Sequence, residues 1–382
     1  MRKIVCLATS PWYPIPTRKQ QVMSRIPDAE ILYFDPSVTY LAPLKDKAAR
    51  PGLSNYKKEG VHPQENITVY SLPPVLPFFY KFRWINKLNQ RRMARFVRRK
   101  MQAHGFTDVL LWVYSPVTAD LVDLVPHKGL VYDCVDRHSA YGGLMDPALV
   151  DRMELELAGK TDRTFATADA LAERLRAAQP NTVMIPNGAN FERFVQASQP
   201  QPVPDDLAGI PHPIFGFVGA LQSCIEYDYL EAAAKARPDW SFVLIGKEKP
   251  GVDLTALHAM PNVHFLGLKP NEQLPQYLAH FDACLNLFAK SDLSKDVSPL
   301  KFYEYLATGR PIVSTRQPDQ ILQYAPLIEI ADSPEEFIAA CEASLTDTAP
   351  ERTKARIEAG RACSWDSRVA QMCEILQEQG IL

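Results

Sequence analysis

Residues 296–311 read Asp-Val-Ser-Pro-Leu-Lys-Phe-Tyr-Glu-Tyr-Leu-Ala-Thr-Gly-Arg-Pro. The grammar is that of a short helix. Ser298 is a good N-cap, and Pro299 suits the first helical position, where a missing N–H costs nothing. Gly309 offers the left-handed residue that ends a helix, and Pro311 blocks continuation. The spacing predicts a helix from about 299 to 308. Its start carries free backbone N–H groups and a partial positive charge, a ready anion site. Lys301 adds a full charge in the first turn, where the helix dipole disfavours a cation unless an anion stands in front of it. Together they predict a phosphate or diphosphate ligand. Glu304, three residues on, shares a face with Lys301 and can accept hydrogen bonds from two ribose hydroxyls. A plain surface Lys–Glu pair on an amphipathic helix explains the same spacing.

Working outward, the segment lies in a series of short apolar runs, each ending near a turn. Residues 214–219, 241–246, 263–267, 283–287 and 311–315 read as five buried strands. Upstream, 3–8, 30–34, 109–113, 129–132 and 163–167 form a similar series with helix-compatible stretches between several of them. Strand–helix alternation predicts an α/β protein with parallel sheets. Five prolines between Pro200 and Pro213 interrupt the two series and exclude a helix or central strand there. The expected layout is a domain over 1–195, a linker over 196–213, a second domain over 214–365 and a closing helix over 366–382. The fold class is then α/β, two Rossmann-like domains facing a cleft. Ligands of such sheets bind beyond the carboxyl ends of the strands.

The 382 residues suffice for two such cores. A net charge of −2 gives no global field for nucleic acid. Seven scattered cysteines, none in CxxC spacing, read as reduced thiols rather than disulfides or a zinc site. No apolar run is long enough to span a bilayer, so a cytoplasmic location is expected. Locally, residues 81–100 hold nine Lys or Arg and no acid, next to Phe78, Phe79, Tyr80, Phe82 and Trp84. A basic helix beside aromatics suits an anionic membrane surface, reached through residues 72–100 on the inner face of the membrane. A solvated charged helix is the plainer alternative.

The 296–311 segment resembles the signature helix of GT-B glycosyltransferases of the bacterial exopolysaccharide and teichuronic-acid type. Pro299, Lys301, Glu304, Tyr305, Leu306, Ala307, Gly309 and Pro311 match that pattern, and Asp296 with Glu304 reads as D-x7-E where many relatives have E-x7-E. Further likenesses follow in order: Ser10-Pro11-Trp12 with Pro16 to Gln21, Tyr132-Asp133-Cys134-Val135-Asp136, Ile185-Pro186-Asn187-Gly188 with Phe194, Phe217-Val218-Gly219, and Asn262 to Gly267. The resemblance implies transfer of a sugar from a UDP- or GDP-sugar to a glycan or lipid-linked acceptor, in a hexosyltransferase needing no metal. It gives Glu304 the donor ribose and Lys301 the diphosphate. Gly219, Leu221, Gly246, Lys247, Leu268, Phe288, Asp296, Ser298 and Leu300 complete the expected donor site. Asp136 is the expected base, with His138 a second base or a sugar contact. Arg18, Lys19, Trp84, Arg91 and Arg95 are expected on the acceptor or membrane side. One departure is the loop 222–228, which lacks the Arg and Lys many retaining members carry there. A sugar-nucleotide epimerase and a non-catalytic sugar-nucleotide binder are the competing readings.

Overall fold

The computed structural model describes residues 1–140, 145–291 and 294–382. The chain forms two compact units, Met1–Pro186 with Val369–Leu382, and Asn187–Arg368. Both are α/β.

Among the described residues the first unit carries eight strands: β1 (Arg2–Leu7), β2 (Ala29–Asp35), β3 (Val61–Gln64), β4 (Ile67–Ser71), β5 (Leu110–Val113), β6 (Gly129–Cys134), β7 (Arg163–Ala166) and β8 (Val183–Met184). Their order in the sheet is β3-β4-β2-β1-β5-β6-β7-β8. Every pairing is parallel except β3 with β4. Strand order reverses between β1 and β5, so the crevice for a ligand lies beyond Leu7 and Val113. β1, β5 and β6 read as continuous apolar runs because both faces are covered, as parallel central strands require. Helix Arg83–Ala103 covers one face, burying Met93, Phe96, Val97 and Met101 against the core. Fully burying one such large apolar side chain contributes about 1.5–3 kcal/mol.

The described residues of the second unit form six strands, β9 (Ile214–Val218), β10 (Ser241–Ile245), β11 (Val263–Gly267), β12 (Ala283–Asn286), β13 (Ile312–Thr315) and β14 (Glu329–Ala331). They run in the order β11-β10-β9-β12-β13-β14, all parallel. Ile214 and Val218 of β9 join one core cluster, and Phe215 and Phe217 the other. That alternation is the period-2 signature of a strand with two buried faces. The order reverses between β9 and β12, at Val218-Gly219 and Asn286-Leu287-Phe288.

The boundaries differ from those the sequence suggests. The units divide at Pro186, not near 195, and the proline-rich stretch packs as part of the second unit rather than running free. Its apolar residues decide this: Ala197 and Leu207 are buried in the second unit's core, and Tyr277 Oη donates to Asp206 at 2.8 Å. The closing helix spans Trp365–Glu378, and its residues from Val369 onward belong to the first unit.

Candidate active site

In the second unit, helix Leu300–Thr308 starts one residue later than the sequence suggests. Pro299, extended at φ −77° and ψ 93°, is the N-cap and has no side-chain cap bond. Ser298 is not a cap. Its Oγ accepts from the Asn187 backbone N–H at 2.9 Å, and its carbonyl accepts from Asn187 Nδ2 at 3.0 Å. A residue 111 positions away thus turns the expected cap into a strut that fixes the approach to the helix. The far end is as read: Gly309 adopts φ 72°, where a side chain is strained.

The helix is fixed at both ends. Tyr305 Oη accepts from the Val218 N–H at 2.8 Å, tying the second turn to the last residue of β9. Arg356, fully buried, donates through Nε to the Gly309 carbonyl at 2.9 Å and pairs with Asp347 at 2.6 Å. A cation at a helix C-terminus meets the negative end of the dipole. Sequence reasoning missed Arg356, because its partners, Gly309, Asp347 and the Leu327 carbonyl at 3.3 Å, are contributed by separate parts of the chain.

Lys301 and Glu304 do share a face. Lys301 Nζ lies 2.7 Å from Glu304 Oε2 and 5.8 Å from the Phe194 ring centroid. The contact is an ion pair by distance, but Oε2 has no well-aligned hydrogen bond, so the carboxylate keeps acceptor capacity. Glu304 is only 7% exposed. Burial raises its pKa, and Lys301 opposes the shift. A buried carboxylate with unused acceptor capacity is costly unless something else satisfies it. Of the neighbouring residues, Asp296 is buried, while Leu300 and Lys301 keep part of their surface.

The other expected donor residues line the same carboxyl edge. The Gly219 N–H donates to the Ile245 carbonyl at 2.9 Å. A Cβ on Gly246 would lie 1.7 Å from the Gly219 carbonyl oxygen, so glycine alone permits β9 and β10 to end so close together. Gly246, Lys247 and Leu268 line an open pocket of about 480 Å³ with Phe265 and His258, whose rings stack at 3.8 Å. Leu268 is exposed at its rim. Phe288, half-buried beyond β12, is held by Thr315 through both its N–H and its carbonyl. Leu221 differs from expectation. Its side chain is sealed in the core, and only its backbone, bonded to Lys247 and Lys249, lies along the edge.

In the first unit, β6 ends at Cys134 and Asp136 stands exposed just beyond it. The loop is held from below. Thr167 Oγ1 donates to the Val135 carbonyl at 2.7 Å. Buried Glu154 accepts from Tyr132 Oη at 2.5 Å and from the Cys134 thiol at 3.4 Å, and pairs with Arg174. His138 is buried, with Nε2 3.0 Å from the Tyr114 carbonyl. A carbonyl can only accept, so Nε2 carries the proton. Burial lowers the His138 pKa, and the bond to Tyr114 anchors the ring.

Arg18 and Lys19 correct another expectation. Both are buried, not displayed to an acceptor. Arg18 Nε donates to both carboxylate oxygens of fully buried Asp133, at 2.9 and 3.1 Å, and Nη1 donates to the Pro186 carbonyl. Lys19 lies over the Tyr114 ring at 5.6 Å. Burial lowers its pKa, and Asp136 and Asp133 pull it back, so Lys19 is within electrostatic reach of Asp136.

Trp84, Arg91 and Arg95 are exposed on helix Arg83–Ala103. With Leu88 and Arg98 they recur at spacings of four, three, four and three, forming one outward stripe. Trp84 is 67% and Leu88 50% exposed, so the stripe is apolar at the N-terminal end and basic further along. Phe96 and Val97 face the core, so they do not share a face with Leu88. Among the described residues no helix is long and apolar enough to cross a membrane, and no group of three or more His, Cys, Asp or Glu is placed to hold a metal.

Residues 212–347 match the sequence profile of the family Glycosyl transferases group 1. The chain is 26% identical over 279 residues to a Bacillus subtilis (strain 168) protein named as a teichuronic acid biosynthesis glycosyltransferase, TuaH, covering 69% of this chain and 70% of that one. Among solved structures, sucrose-phosphate synthase of Thermosynechococcus elongatus superposes with a TM-score of 0.71 at 14% identity over 99% of both chains. HepE of Anabaena, in complex with UDP and glucose, superposes with a TM-score of 0.64 at 16% identity over 99% of this chain and 100% of that one. The fold is therefore GT-B, and the chain is a glycosyltransferase. It is related to the bacterial enzymes of exopolysaccharide and teichuronic-acid type.

Proposed function

We propose that the chain moves a hexosyl group from a UDP- or GDP-sugar to a glycan or lipid-linked acceptor in surface-polysaccharide synthesis. The second unit takes the donor and the first unit the acceptor. The observation that carries this reading is the Lys301–Glu304 pair at 2.7 Å on the first turn of a helix that Tyr305 ties to the end of β9. A nucleoside diphosphate satisfies both halves of that pair at once. Lys301 turns to the diphosphate, beside the helix N-terminus, and Glu304 accepts from the ribose hydroxyls.

During transfer, negative charge grows on the leaving diphosphate. Lys301 and the helix start stabilise it without a metal, an interaction class worth about 2.7–4 kcal/mol per donor. Asp136, exposed beyond β6, takes the proton from the attacking hydroxyl, a contribution of roughly 10²–10⁴-fold. Lys19 and the anchored His138 hold the charge and the place of that carboxylate. The pocket of Gly246, Lys247 and Leu268 receives the base. The stripe from Trp84 to Arg98 rests on an anionic membrane on its cytoplasmic side, where a lipid-linked acceptor is found.

A thermal-shift panel of UDP, GDP, ADP and their sugars tests the reading. A ligand at 100 times its Kd adds about 2.7 kcal/mol. One nucleotide class should raise the melting temperature, and Glu304→Ala should abolish the rise. A panel with no shift for any nucleotide refutes the proposal.

A further inference from the structure

The first unit contains a cavity of about 140 Å³ that the donor site does not use. Its walls include Leu72, Val75, Phe79, Val117 and Leu121, together with Leu7, Ala8 and Ser115. It therefore sits where strand order reverses between β1 and β5, the place such sheets bind ligands. Ser115 is the direct neighbour of Tyr114, whose carbonyl holds His138. The cavity thus backs onto the loop that presents Asp136.

A relay of side-chain amides fixes the chemistry of one unsatisfied polar atom in its lining. Asn86 Nδ2 donates to the Val117 carbonyl at 2.9 Å, so Asn86 Oδ1 is the acceptor end. Gln90 Nε2 donates to that Oδ1 at 3.0 Å. Gln90 Oε1 is then left as an acceptor, buried and without a donor, on a side chain that lines the cavity. Asn89 is engaged at both ends by the Leu76 backbone. An apolar cavity of this size takes a small hydrocarbon, whereas a buried water needs two to four polar partners. The matching ligand has a slender apolar body and one hydrogen-bond donor.

The outer surface identifies where it comes from. Helix Arg83–Ala103 walls the cavity with Asn86, Gln90 and Met93, and turns Trp84, Leu88, Arg91 and Arg95 outward. Leu76 and Phe78, flanking the wall residues Val75 and Phe79, are exposed. Exposed apolar residues thus adjoin the lining along the chain, and the helix that walls the cavity carries a row of arginines on its outer face, the complement of a bilayer with anionic headgroups. The geometry points to a lipid slot: the cavity holds a hydrocarbon segment of the lipid-linked acceptor, drawn from an anionic bilayer, with a donor group of that lipid bonded to Gln90 Oε1. This rests on the acceptor assignment above.

The full chain is titrated with straight-chain 1-alkanols by calorimetry. Affinity should rise roughly fourfold per added methylene and level off once the slot is full. The alkane of equal length should bind three- to tenfold more weakly, for lack of the bond to Gln90. Ser37→Phe, which puts a ring into the lining from a half-buried position, should weaken alkanol binding at least tenfold and leave the nucleotide-induced thermal shift unchanged. In parallel, vesicles of phosphatidylglycerol containing a diazirine-labelled long-chain alcohol are irradiated with the unmodified chain. Label should map to residues 72–93 or 115–121. No alkanol binding, or binding that Ser37→Phe leaves intact, overturns the slot, and alkanol binding without labelling from vesicles overturns its lipid occupant. A silent nucleotide panel with alkanol binding intact defeats the donor reading alone.

Discussion

Glu304→Gln keeps the shape of the side chain and removes its charge, and its two effects should run in opposite directions. In the free protein the carboxylate is almost sealed and faces Lys301 at 2.7 Å. Burial raises its pKa, so the folded chain binds that proton more readily than the unfolded chain. For an acid with a raised folded pKa, stability is greatest below the ordinary carboxylate range and falls as pH rises through the raised value. The amide has no such fall. At pH 7–8 the variant should therefore melt at the parent's temperature or above it. Nucleotide binding should suffer. Two charge-assisted bonds to ribose at about 1.5–3 kcal/mol each give way to one neutral bond of about 1 kcal/mol. Allowing for the release of Lys301, the net loss is about 3 kcal/mol, or roughly 100-fold in Kd. Calorimetric titration of the best nucleotide, with melting curves from pH 4 to 8, reads both quantities. A melting temperature lowered by several degrees with Kd within threefold of the parent would make the pair a structural brace and refute the reasoning.

Asp136→Asn should lower kcat roughly 10²–10⁴-fold while nucleotide affinity stays within twofold, as initial rates and titration would report. Arg356→Met should cost about 1–3 kcal/mol by taking the nearer of two cations from buried Asp347, which Arg352 still approaches at 3.5 Å, and the donor from the Gly309 carbonyl; urea unfolding measures this. Asp35, which accepts from the Trp12 N–H at 2.8 Å, is pushed up to about 6 by burial. Its contribution to stability is therefore lost as pH rises from about 4 to 6, and Asp35→Asn should flatten the melting profile in that window. Replacing Arg91, Arg95 and Arg98 together by Glu should abolish sedimentation with anionic vesicles and leave the melting temperature within a few degrees, since all three lie on the exposed stripe.

What the sequence made legible follows from the range of the forces involved. The central strands announce themselves because a parallel strand covered on both faces is a local apolar run. β3, β4 and β14 escaped reading: the first pair stands at a sheet edge between proline-bearing stretches, and the last is three residues long. The signature helix was legible because caps and i+3 pairs are local. Ser298 was misjudged because its partner Asn187 is 111 residues away. Arg18 looked like a displayed cation because nothing in its neighbourhood reveals Asp133, 115 residues on. Leu221 was expected at the ligand edge, yet its side chain is buried in the core, a direction that depends on packing no spacing encodes.

The assignment of Val369–Leu382 to the first unit has a consequence for biosynthesis. Val369, Met372 and Leu376 are buried, and Gln379 accepts from Arg163 at 2.8 Å. On the ribosome, the unit begun first is thus the last to be finished. Residues 187–368 can collapse while their predecessor still lacks part of its core, leaving an apolar seat open for the whole time it takes to translate the second unit. A chaperone reading nascent chains should dwell there, and release should coincide with emergence of the final helix.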